Sequence, residues 1–403
     1  MVIFGGGIVG TTLACALAKT GLRMAIIERN VPPAQPSGAY ALRVSAISPG
    51  SRQILEHLGM WSLMQQQRIC PVQRMRVWDA RGTGVIDFDS ADIGEPCLAY
   101  IIENDAMVAA LWERLAENDS ATPYVGSEVE AIEICDTHVS VCLNQGARLD
   151  THLLVGADGP HSTVRTHAGI STNRWDYAQQ GIVATVGTEA SVTHTAWQRF
   201  LPTGPLAFLP LPDGCYSIVW SVDSDVAKDL LARDDDGFIE ALQSGIGDGL
   251  GRMQSISERL AFPLQRAHAQ RYTAHRITLI GDAAHVVHPL AGQGVNLGLL
   301  DAAVLAEVLL DVSAAGRDIG THATLRRFER WRKADNLAML MFTDLLKRLF
   351  GSSLMTVERV RNMGLDLTNA TTPLKRMLMR HAAGRAGDLP KLARPDYARP
   401  LQG

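Results

Sequence analysis

An acidic residue and a group of glycines in the last third of the chain have the types and spacing of a ligand site. The apolar run at residues 277–280 predicts a buried strand, and Asp282 follows at its carboxyl end, where open α/β sheets bind ligands. Gly292 and Gly294 precede an apolar-periodic segment, residues 295–310, that predicts a helix. Backbone N–H groups at such a helix start approach ligand oxygens, and the helix dipole favours negative charge. The segment therefore predicts a site for an anionic group; the alternative is an ordinary strand, turn and helix with a glycine-rich connection.

A second glycine motif stands at the start of the chain. A short apolar run leads into Gly5, Gly7 and Gly10 with the spacing G-x-G-x-x-G, and a helical stretch and a second strand follow, ending at Glu28. Strand, glycines, helix, strand and acid in this order are the full context of a dinucleotide-binding fingerprint. Gly5 would make the tight turn, Gly7 would admit a pyrophosphate and Gly10 would let helix and strand pack closely. Glu28 would then hold the ribose hydroxyls of an adenosine.

Asp158 and Arg43 are weaker candidates for the same site. Asp158 follows an apolar strand and precedes Gly159. Asp-Gly alone mostly marks a turn, but beside two other nucleotide motifs it indicates an approach to the same ligand. Arg43 lies in a loop where a pyrophosphate would find a charge partner, and the alternative is a solvated surface charge.

His285 and His288 raise the question of a metal or acid–base site. No third ligand stands at a suitable spacing, so we expect no metal. We interpret His285 as a structural hydrogen-bonding residue. For His288, which precedes Pro289, a role in orienting a substrate and a structural role both stay open.

Composition limits the classes of protein to which the chain can belong. Its 403 residues exceed what one hydrophobic core usually covers, so two domains are expected. A net charge of −4 argues against a nucleic-acid partner. The six cysteines are scattered, as in a protein with reduced thiols. With neither a signal peptide nor a membrane-length apolar run, we expect a cytoplasmic protein, peripheral at the inner face of a membrane at most.

These motifs together resemble the class A flavoprotein monooxygenases of the para-hydroxybenzoate hydroxylase fold. Within them the chain is most similar to the ubiquinone-biosynthesis hydroxylases of the UbiH/UbiF/VisC type. The resemblance spans essentially the whole chain. The matching segments are residues 5–10 with Glu28, 43–47, 103–104, 156–159, 175–179, 281–298 and 387–390.

The resemblance implies an FAD cofactor and assigns residues to it. Asp282 would bind the ribityl or pyrophosphate side, and Gly292 and Gly294, with the helix behind them, would cradle the pyrimidine edge of the flavin. The cofactor-binding residues expected on this basis are Gly5, Gly7, Gly10, Glu28, Arg43, Asn104, Asp158, Asp282, Gly292, Gly294 and Asn296. The catalytic residues expected are His288, Pro289 and Leu290, with Pro289 near the flavin C4a.

The resemblance also implies a reaction. The flavin, reduced by NAD(P)H or another donor, would take up O2 as a C4a-hydroperoxide and hydroxylate a polyprenylated phenol on the route to ubiquinone, with C5 favoured. The alternatives are another aromatic substrate, a non-hydroxylating reductase or oxidase, and a lipid-binding flavoprotein subunit. Other ubiquinone-biosynthesis proteins and a second copy of the chain are the protein partners to consider.

The predicted fold class is α/β, with a Rossmann-like FAD-binding domain, a second mixed or antiparallel β-sheet for the substrate and a helical C-terminal segment. Strand-like runs in the middle of the chain predict the second sheet, and five large apolar residues make it suited to a prenyl tail: Phe200, Phe208, Leu209, Leu211 and Trp220. The alternative is that these side chains form the buried face of the sheet. The predicted boundaries are 1–73, 100–175 and 267–350 for the FAD-binding domain, 74–99 and 176–266 for the substrate domain, and 351–403 for the C-terminal segment.

Two features near the C-terminus indicate a contact surface. The predicted helix at residues 324–350 is apolar over most of its circumference, which is typical of buried core or an oligomer contact but also permits a membrane contact. Residues 371–403 carry seven basic side chains against two acidic ones. A basic end of this kind binds anionic lipid or a partner surface, or is simply solvated.

Overall fold

The computed structural model describes residues 1–18, 20–66, 68–117, 119–189, 193–287, 292–351, 362, 364, 367–369 and 371–397. The strands within these residues are β1 (Val2–Phe4), β2 (Met24–Glu28), β3 (Val44–Ile47), β4 (Cys70–Val72), β5 (Arg74–Asp79), β6 (Val85–Asp89), β7 (Ala99–Glu103), β8 (Ala121–Val125), β9 (Val129–Ile134), β10 (Val139–Leu143), β11 (Arg148–Thr151), β12 (Leu154–Gly156), β13 (Thr172–Thr188), β14 (Thr195–Leu201), β15 (Gly204–Pro210), β16 (Cys215–Asp223), β17 (Met253–Ile256), β18 (Leu260–Ala269), β19 (Thr273–Ala274), β20 (Ile277–Leu279) and β21 (His285–Val286).

The helices in the same part of the chain are α1 (Ile8–Ala16), α2 (Pro49–His57), α3 (Trp61–Gln65), α4 (Asn104–Ala116), α5 (Thr163–His167), α6 (Ser224–Leu231), α7 (Asp235–Ile246), α8 (Gln293–Ala314), α9 (His322–Gly351) and α10 (Thr372–Ala382). Short 3₁₀ turns lie at Ser90–Ile93, Asp248–Leu250, Gly281–Ala283 and Lys391–Ala393. No helix among the described residues combines the length and the hydropathy that a membrane crossing requires.

A six-stranded sheet brings the sequence motifs to one edge. Its order is β19-β20-β12-β1-β2-β8, and all neighbours except β19 and β20 are parallel. Strand β1 therefore lies between β2, which ends at Glu28, and β12, which ends before Asp158. Strand β20 lies on the far side of β12. Helices α1, α4 and α8 pack against this sheet in the largest hydrophobic core. The parallel order places the carboxyl ends of these strands together.

A nine-stranded sheet forms the second layer of the molecule. Its order is β21-β18-β13-β16-β15-β14-β5-β6, with β17 beside β13. Only β14 and β5 pair in parallel, so the sheet is mixed, as expected. Helices α6 and α7 cover one of its faces in a second core. These two sheets and the helical C-terminal segment confirm the predicted fold class, while the predicted domain boundaries stay a prediction.

The alternating residues 124–143 do not form one sheet. Tyr124 belongs to β8, which pairs in parallel with β2 of the six-stranded sheet. Strands β9, β10 and β11 form a separate antiparallel meander. Alternation of side chains is the same in parallel and antiparallel strands, so the pattern did not reveal which sheet β8 would join.

Helix α9 connects the two large sheets. Near its middle, Arg332 Nε donates to Asp301 of α8 at 2.7 Å. Farther along, Asp344 accepts from the Tyr177 hydroxyl at 3.1 Å and pairs with Arg266 at 3.0 Å, so it holds α9 against β13 and β18. The phenyl ring of Phe350 at its end stacks on Phe200 of β14. A single helix thus contacts both layers.

Candidate active site

The first glycine motif shapes the start of α1. Gly5 has φ +113°, and a Cβ there would lie 2.2 Å from the Ala157 carbonyl oxygen. A Cβ at Gly10 would lie 2.0 Å from the Gly5 oxygen. At Gly7 a Cβ would meet nothing within 4 Å, because the space before the helix is open. Only glycine fits at the first and third positions, and the second leaves room for a ligand at the helix N-terminus.

Glu28 lies beside this glycine loop. Its Oε2 accepts from the Gly6 backbone N–H at 2.7 Å, and its Oε1 accepts from the Asn30 N–H at 2.8 Å. The indole of Trp112 in α4 donates to the Gly6 carbonyl at 2.8 Å. Trp112 holds the loop from the opposite side. Nothing in the sequence indicates this role, since one tryptophan on a helix is usually core.

The two glycine motifs meet at Val9. Gly281 has φ +59°, and a Cβ there would lie 3.1 Å from the Val9 side chain. A Cβ at Gly298 in α8 would lie 2.4 Å from the Val9 Cγ2. Helices α1 and α8 can therefore approach closely only because both positions lack side chains. The close approach joins sites that lie more than 270 residues apart in the chain.

Asp282 lies at the floor of an open cleft. Its side chain is exposed to solvent, yet the protein around it raises its pKa, while His285 and Arg43 act in the opposite direction. A carboxyl group that is open to water and still surrounded by protein lies in a concave surface. The Arg43 guanidinium lies 5.8 Å from the centre of the Phe262 ring in β18. Residues from both sheets therefore converge here.

Asn104 and Asn296 hold the backbone around this cleft. The Asn104 N–H donates to the Arg43 carbonyl at 3.0 Å, and its Oδ1 accepts from the Ser45 hydroxyl at 2.7 Å. Asn296 is buried: its Oδ1 accepts from the Ser48 N–H at 2.9 Å, and its Nδ2 donates to the Ala46 and Gly292 carbonyls. Both ends of the Asn296 amide bind protein groups, so any effect of Asn296 on a cofactor acts through the backbone.

The remaining cofactor candidates have distinct positions. Gly292 adopts φ +60° and caps α8, whereas Gly294 lies inside its first turn and not before the helix as expected. Asp158 accepts from the Ser162 hydroxyl at 2.6 Å and from the Val164 N–H at 3.1 Å, which fixes the turn before α5. Burial raises the pKa of Asp158, and these hydrogen bonds oppose the rise. The predicted catalytic residues His288, Pro289 and Leu290 lie outside the described residues.

A buried polar network lies behind the cleft, and sequence reasoning found only one of its members, His285. Asp301 of α8 is fully buried and accepts from the His285 Nε2 at 2.6 Å, the Gly281 N–H at 3.1 Å, Arg332 at 2.7 Å and Asn336 at 3.1 Å. Burial alone would raise the pKa of Asp301, but His285 and Arg332 outweigh it and hold the pKa well below the usual range. An aspartate in an apolar helix is the available sequence signal, because such a charge requires partners.

The nine-stranded sheet turns one face toward the cleft. We call it the site face; it includes Ala207, Leu209 and Val219, which are partly exposed. The alternate positions, Phe208 and Trp220, are buried against α6 and α7. Of the two interpretations of these aromatic residues, the structure therefore supports the buried sheet face for Phe208 and Trp220, because they point to the opposite side of the sheet from the site face.

This arrangement fits an FAD molecule. The open space at Gly7 before α1 suits a pyrophosphate, and Glu28 at the end of β2 is placed for an adenosine ribose. Asp282, at the floor of the cleft, offers an acceptor to ligand hydroxyls. The start of α8, where Gly292 caps the helix, would face the flavin pyrimidine edge.

Comparisons with known proteins agree with this geometry. The sequence profile of the FAD binding domain matches residues 1–338. A mitochondrial ubiquinone biosynthesis monooxygenase of Danio rerio is 38% identical, with 95% of this chain and 89% of that protein covered. The 3-demethoxyubiquinol 3-hydroxylase of Escherichia coli (strain K12) is 36% identical, with 95% and 97% covered.

The fold also matches a solved structure. The p-nitrophenol 4-monooxygenase of Pseudomonas putida DLL-E4 superposes with a TM-score of 0.80 at 19% identity, over 96% of this chain and 98% of that one. Together, these matches confirm the predicted resemblance and the FAD cofactor. The chain therefore belongs to the FAD-dependent aromatic hydroxylases, in the family of the ubiquinone-biosynthesis hydroxylases.

Proposed function

We propose that this enzyme hydroxylates the aromatic ring of a polyprenylated phenol on the route to ubiquinone, using O2 and a reductant such as NAD(P)H. The observation that carries the proposal is the site face of the nine-stranded sheet. On strands β13–β16 its positions 181, 183, 185, 196, 198, 200, 207, 209, 217, 219 and 221 carry no charged side chain, and Ala207, Leu209 and Val219 among them are partly exposed. Uncharged side chains of this kind suit an apolar tail. Charged groups occur at the edges of this face, where Asp79 of β5 pairs with Phe200 and the Arg43 guanidinium lies beside the Phe262 ring.

The chain's own residues position the reactants. Bound FAD supplies the activation of oxygen that side chains cannot perform. Gly5, Gly7 and Glu28 would hold its adenosine and pyrophosphate, and Asp158 and Asp282 would line the groove between the motifs. The phenol's own hydroxyl activates the ring carbons ortho and para to it. The protein therefore needs to orient the ring and exclude water, and a nucleophile–base pair is unnecessary.

The ring position is the finer part of the proposal. We favour C5, because residues 175–177 and 288–290 resemble the VisC type. The relative from Escherichia coli is described as a 3-demethoxyubiquinol 3-hydroxylase. We infer that the ring position depends on how the pocket orients the ring.

Mass spectrometry of a deletion strain tests the proposal. We expect a prenylphenol that lacks one oxygen to accumulate, and the position of the missing oxygen identifies the carbon. Re-expression of the intact chain should restore ubiquinone. Normal ubiquinone in the deletion strain, with loss of growth on a small aromatic acid, would contradict the proposed substrate. NAD(P)H oxidation by the purified enzyme without any oxygenated product would instead indicate an oxidase.

We also propose peripheral contact with a membrane, where a polyprenylated substrate resides. Helix α9 exposes four apolar side chains at adjacent turns, Leu337, Met341, Phe342 and Leu345. Their spacing places them on one side of the helix.

A further inference from the structure

We propose that Asp301 is a positioning residue for the cofactor, which holds the turn at Gly281 and Asp282 in the geometry that presents Asp282 to the cleft. This inference rests on the proposed cofactor role of Asp282. Asp301 itself is fully buried and lies on α8 behind the turn. It therefore acts on the ligand only through the residues that it binds.

One carboxylate oxygen of Asp301 accepts hydrogen bonds from both ends of the turn. The Asp301 Oδ2 accepts from the Gly281 N–H at 3.1 Å and from the His285 Nε2 at 2.6 Å. Asp282 stands between these two attachments. Gly281 needs this support because its φ of +59° places the backbone in the left-handed region, while Val9 closes the space beside it. Without the shared acceptor, the Gly281 N–H would be buried without a partner.

The other carboxylate oxygen fixes Asp301 to α9. The Asp301 Oδ1 accepts from Arg332 Nε at 2.7 Å and from Asn336 Nδ2 at 3.1 Å. Arg332 is also buried, and it balances the charge. All four donors bind the Asp301 carboxylate, two from the turn and two from α9, so the Asp301 side chain is held in one rotamer. The imidazole is fixed as well: its Nε2 carries the proton that Asp301 accepts.

A purely structural role makes a different prediction. If Asp301 only tied α8 to α9, any variant that removes one of its contacts would weaken FAD binding in proportion to the stability that it loses. A contact on the α9 side would then matter as much as a contact with the turn. The positioning role predicts a specific loss on the turn side. Two control variants separate these cases. Asn336→Ala removes one donor from the α9 side of the same carboxylate. Asp311→Asn breaks another α8–α9 ion pair, the exposed pair with Arg327 at 2.8 Å.

The test measures FAD affinity by flavin fluorescence, stability by urea unfolding, and hydrogen exchange at the Gly281 amide, all on the full-length chain. For Asp301→Asn we expect at least tenfold weaker FAD binding and faster exchange at Gly281. Asn336→Ala and Asp311→Asn should change the FAD affinity less than threefold, even where they lower the urea midpoint. FAD binding by Asp301→Asn within threefold of the wild type would overturn the proposal. A loss of FAD affinity in Asn336→Ala as large as that in Asp301→Asn would also overturn it.

Two further variants keep the result decisive. If Asp301→Asn does not fold, His285→Ala removes one turn-side donor, and a loss of FAD affinity greater than threefold is then expected. An unchanged affinity in that variant would overturn the proposal. Asp282→Ala separately tests the role on which the inference rests. Normal FAD binding in Asp282→Ala would overturn the cofactor role of Asp282. If Asp282→Ala binds FAD weakly while Asp301→Asn binds it normally, only the positioning role of Asp301 is overturned.

Discussion

The Asp282 carboxyl group is open to solvent, while the protein around it raises its pKa. A ligand that enters the open space and donates hydrogen bonds to the carboxylate replaces water there. Arg43 and His285 oppose the rise and keep the charged form accessible. At the scale of single residues, this makes Asp282 the strongest candidate for contact with the ribityl or pyrophosphate side of FAD.

Replacing Asp282 by alanine should weaken FAD binding because it removes a charged acceptor. A lost charge-assisted hydrogen bond costs about 1.5–3 kcal/mol, or roughly ten- to more than a hundredfold in affinity. Fluorescence titration of the apoprotein with FAD measures the change. Asp225→Ala serves as the control, since Asp225 is an exposed acid on α6 that pairs only with Lys228 among the described contacts. Equal affinities in the two variants would show that Asp282 does not bind the cofactor.

His268 should make the stability of the protein depend on pH. Burial, His285 and Lys333 lower its pKa from 6.5 to about 4, and its neutral Nε2 accepts from the Tyr272 hydroxyl at 3.1 Å. Between these two pKa values the unfolded chain binds more protons, so stability is full above pH 6.5 and falls as the pH drops toward 4. Solvent around the partly exposed imidazole keeps the loss from this residue well below the roughly 3.4 kcal/mol that the same shift would give in a fully buried group.

Urea unfolding at several pH values between 7 and 4 measures this loss. In His268→Gln the amide oxygen still accepts from Tyr272 but does not titrate, so the pH dependence should become flatter. Parallel loss of stability in the wild type and the variant would exclude His268 as its source.

Sequence reasoning found the residues of the site that have a local signature and missed those that act across the fold. Gly5, Gly10 and Gly292 were found because a backbone in a tight turn or close approach excludes side chains. Trp112 and Asp301 were missed because their partners are remote in the chain. The side of the sheet on which Phe208 lies could not be predicted, because a strand pattern gives two faces but does not identify which one meets the cleft.

At the scale of elements, β13 contains a strained bulge. Its pairing with β18 shifts register between Asp176 and Gln179, and Ala178 there adopts φ +52°. The Asp176 carboxylate accepts from the Ala178 N–H at 2.8 Å, and the Ser224 hydroxyl donates to the Ala178 carbonyl at 3.0 Å. These bonds hold an alanine where a glycine would fit without strain. The segment was recognised from its sequence, but the bulge was not, because no glycine marks it.

Replacing Ala178 by glycine should therefore stabilise the protein. Relief of the left-handed conformation exceeds the extra entropy of glycine in the unfolded chain, for a net gain of about 0.5–1 kcal/mol. Ala184→Gly in the regular, buried part of the same strand is the matched control and should destabilise the protein. Urea unfolding compares the two. Equal destabilisation by both variants would mean that the bulge stores no strain.

At the scale of the whole molecule, the exposed apolar side chains of α9 and the basic C-terminal region should give weak binding to anionic vesicles. Each basic residue near an anionic surface contributes about 1 kcal/mol, and salt screens the effect. Co-sedimentation with anionic and neutral vesicles at two salt concentrations measures it. Leu345→Glu should reduce binding, whereas Leu260→Glu, at an exposed apolar position on β18, should not. Equal binding to anionic and neutral vesicles at both salt concentrations would contradict the role of the basic region.

The order of strands in the six-stranded sheet also determines when the enzyme can acquire its cofactor during synthesis. Strands β1, β2, β8 and β12 come from the first part of the chain, but β20 pairs with β12 only after every strand of the nine-stranded sheet except β21 has been translated. A ribosome must therefore complete more than two thirds of the chain before Asp282 can reach the cleft. Until then β12 presents an unpaired edge that chaperones would have to shield. Nascent chains stalled before β20 emerges should retain no flavin, whereas chains stalled after α9 emerges should retain it.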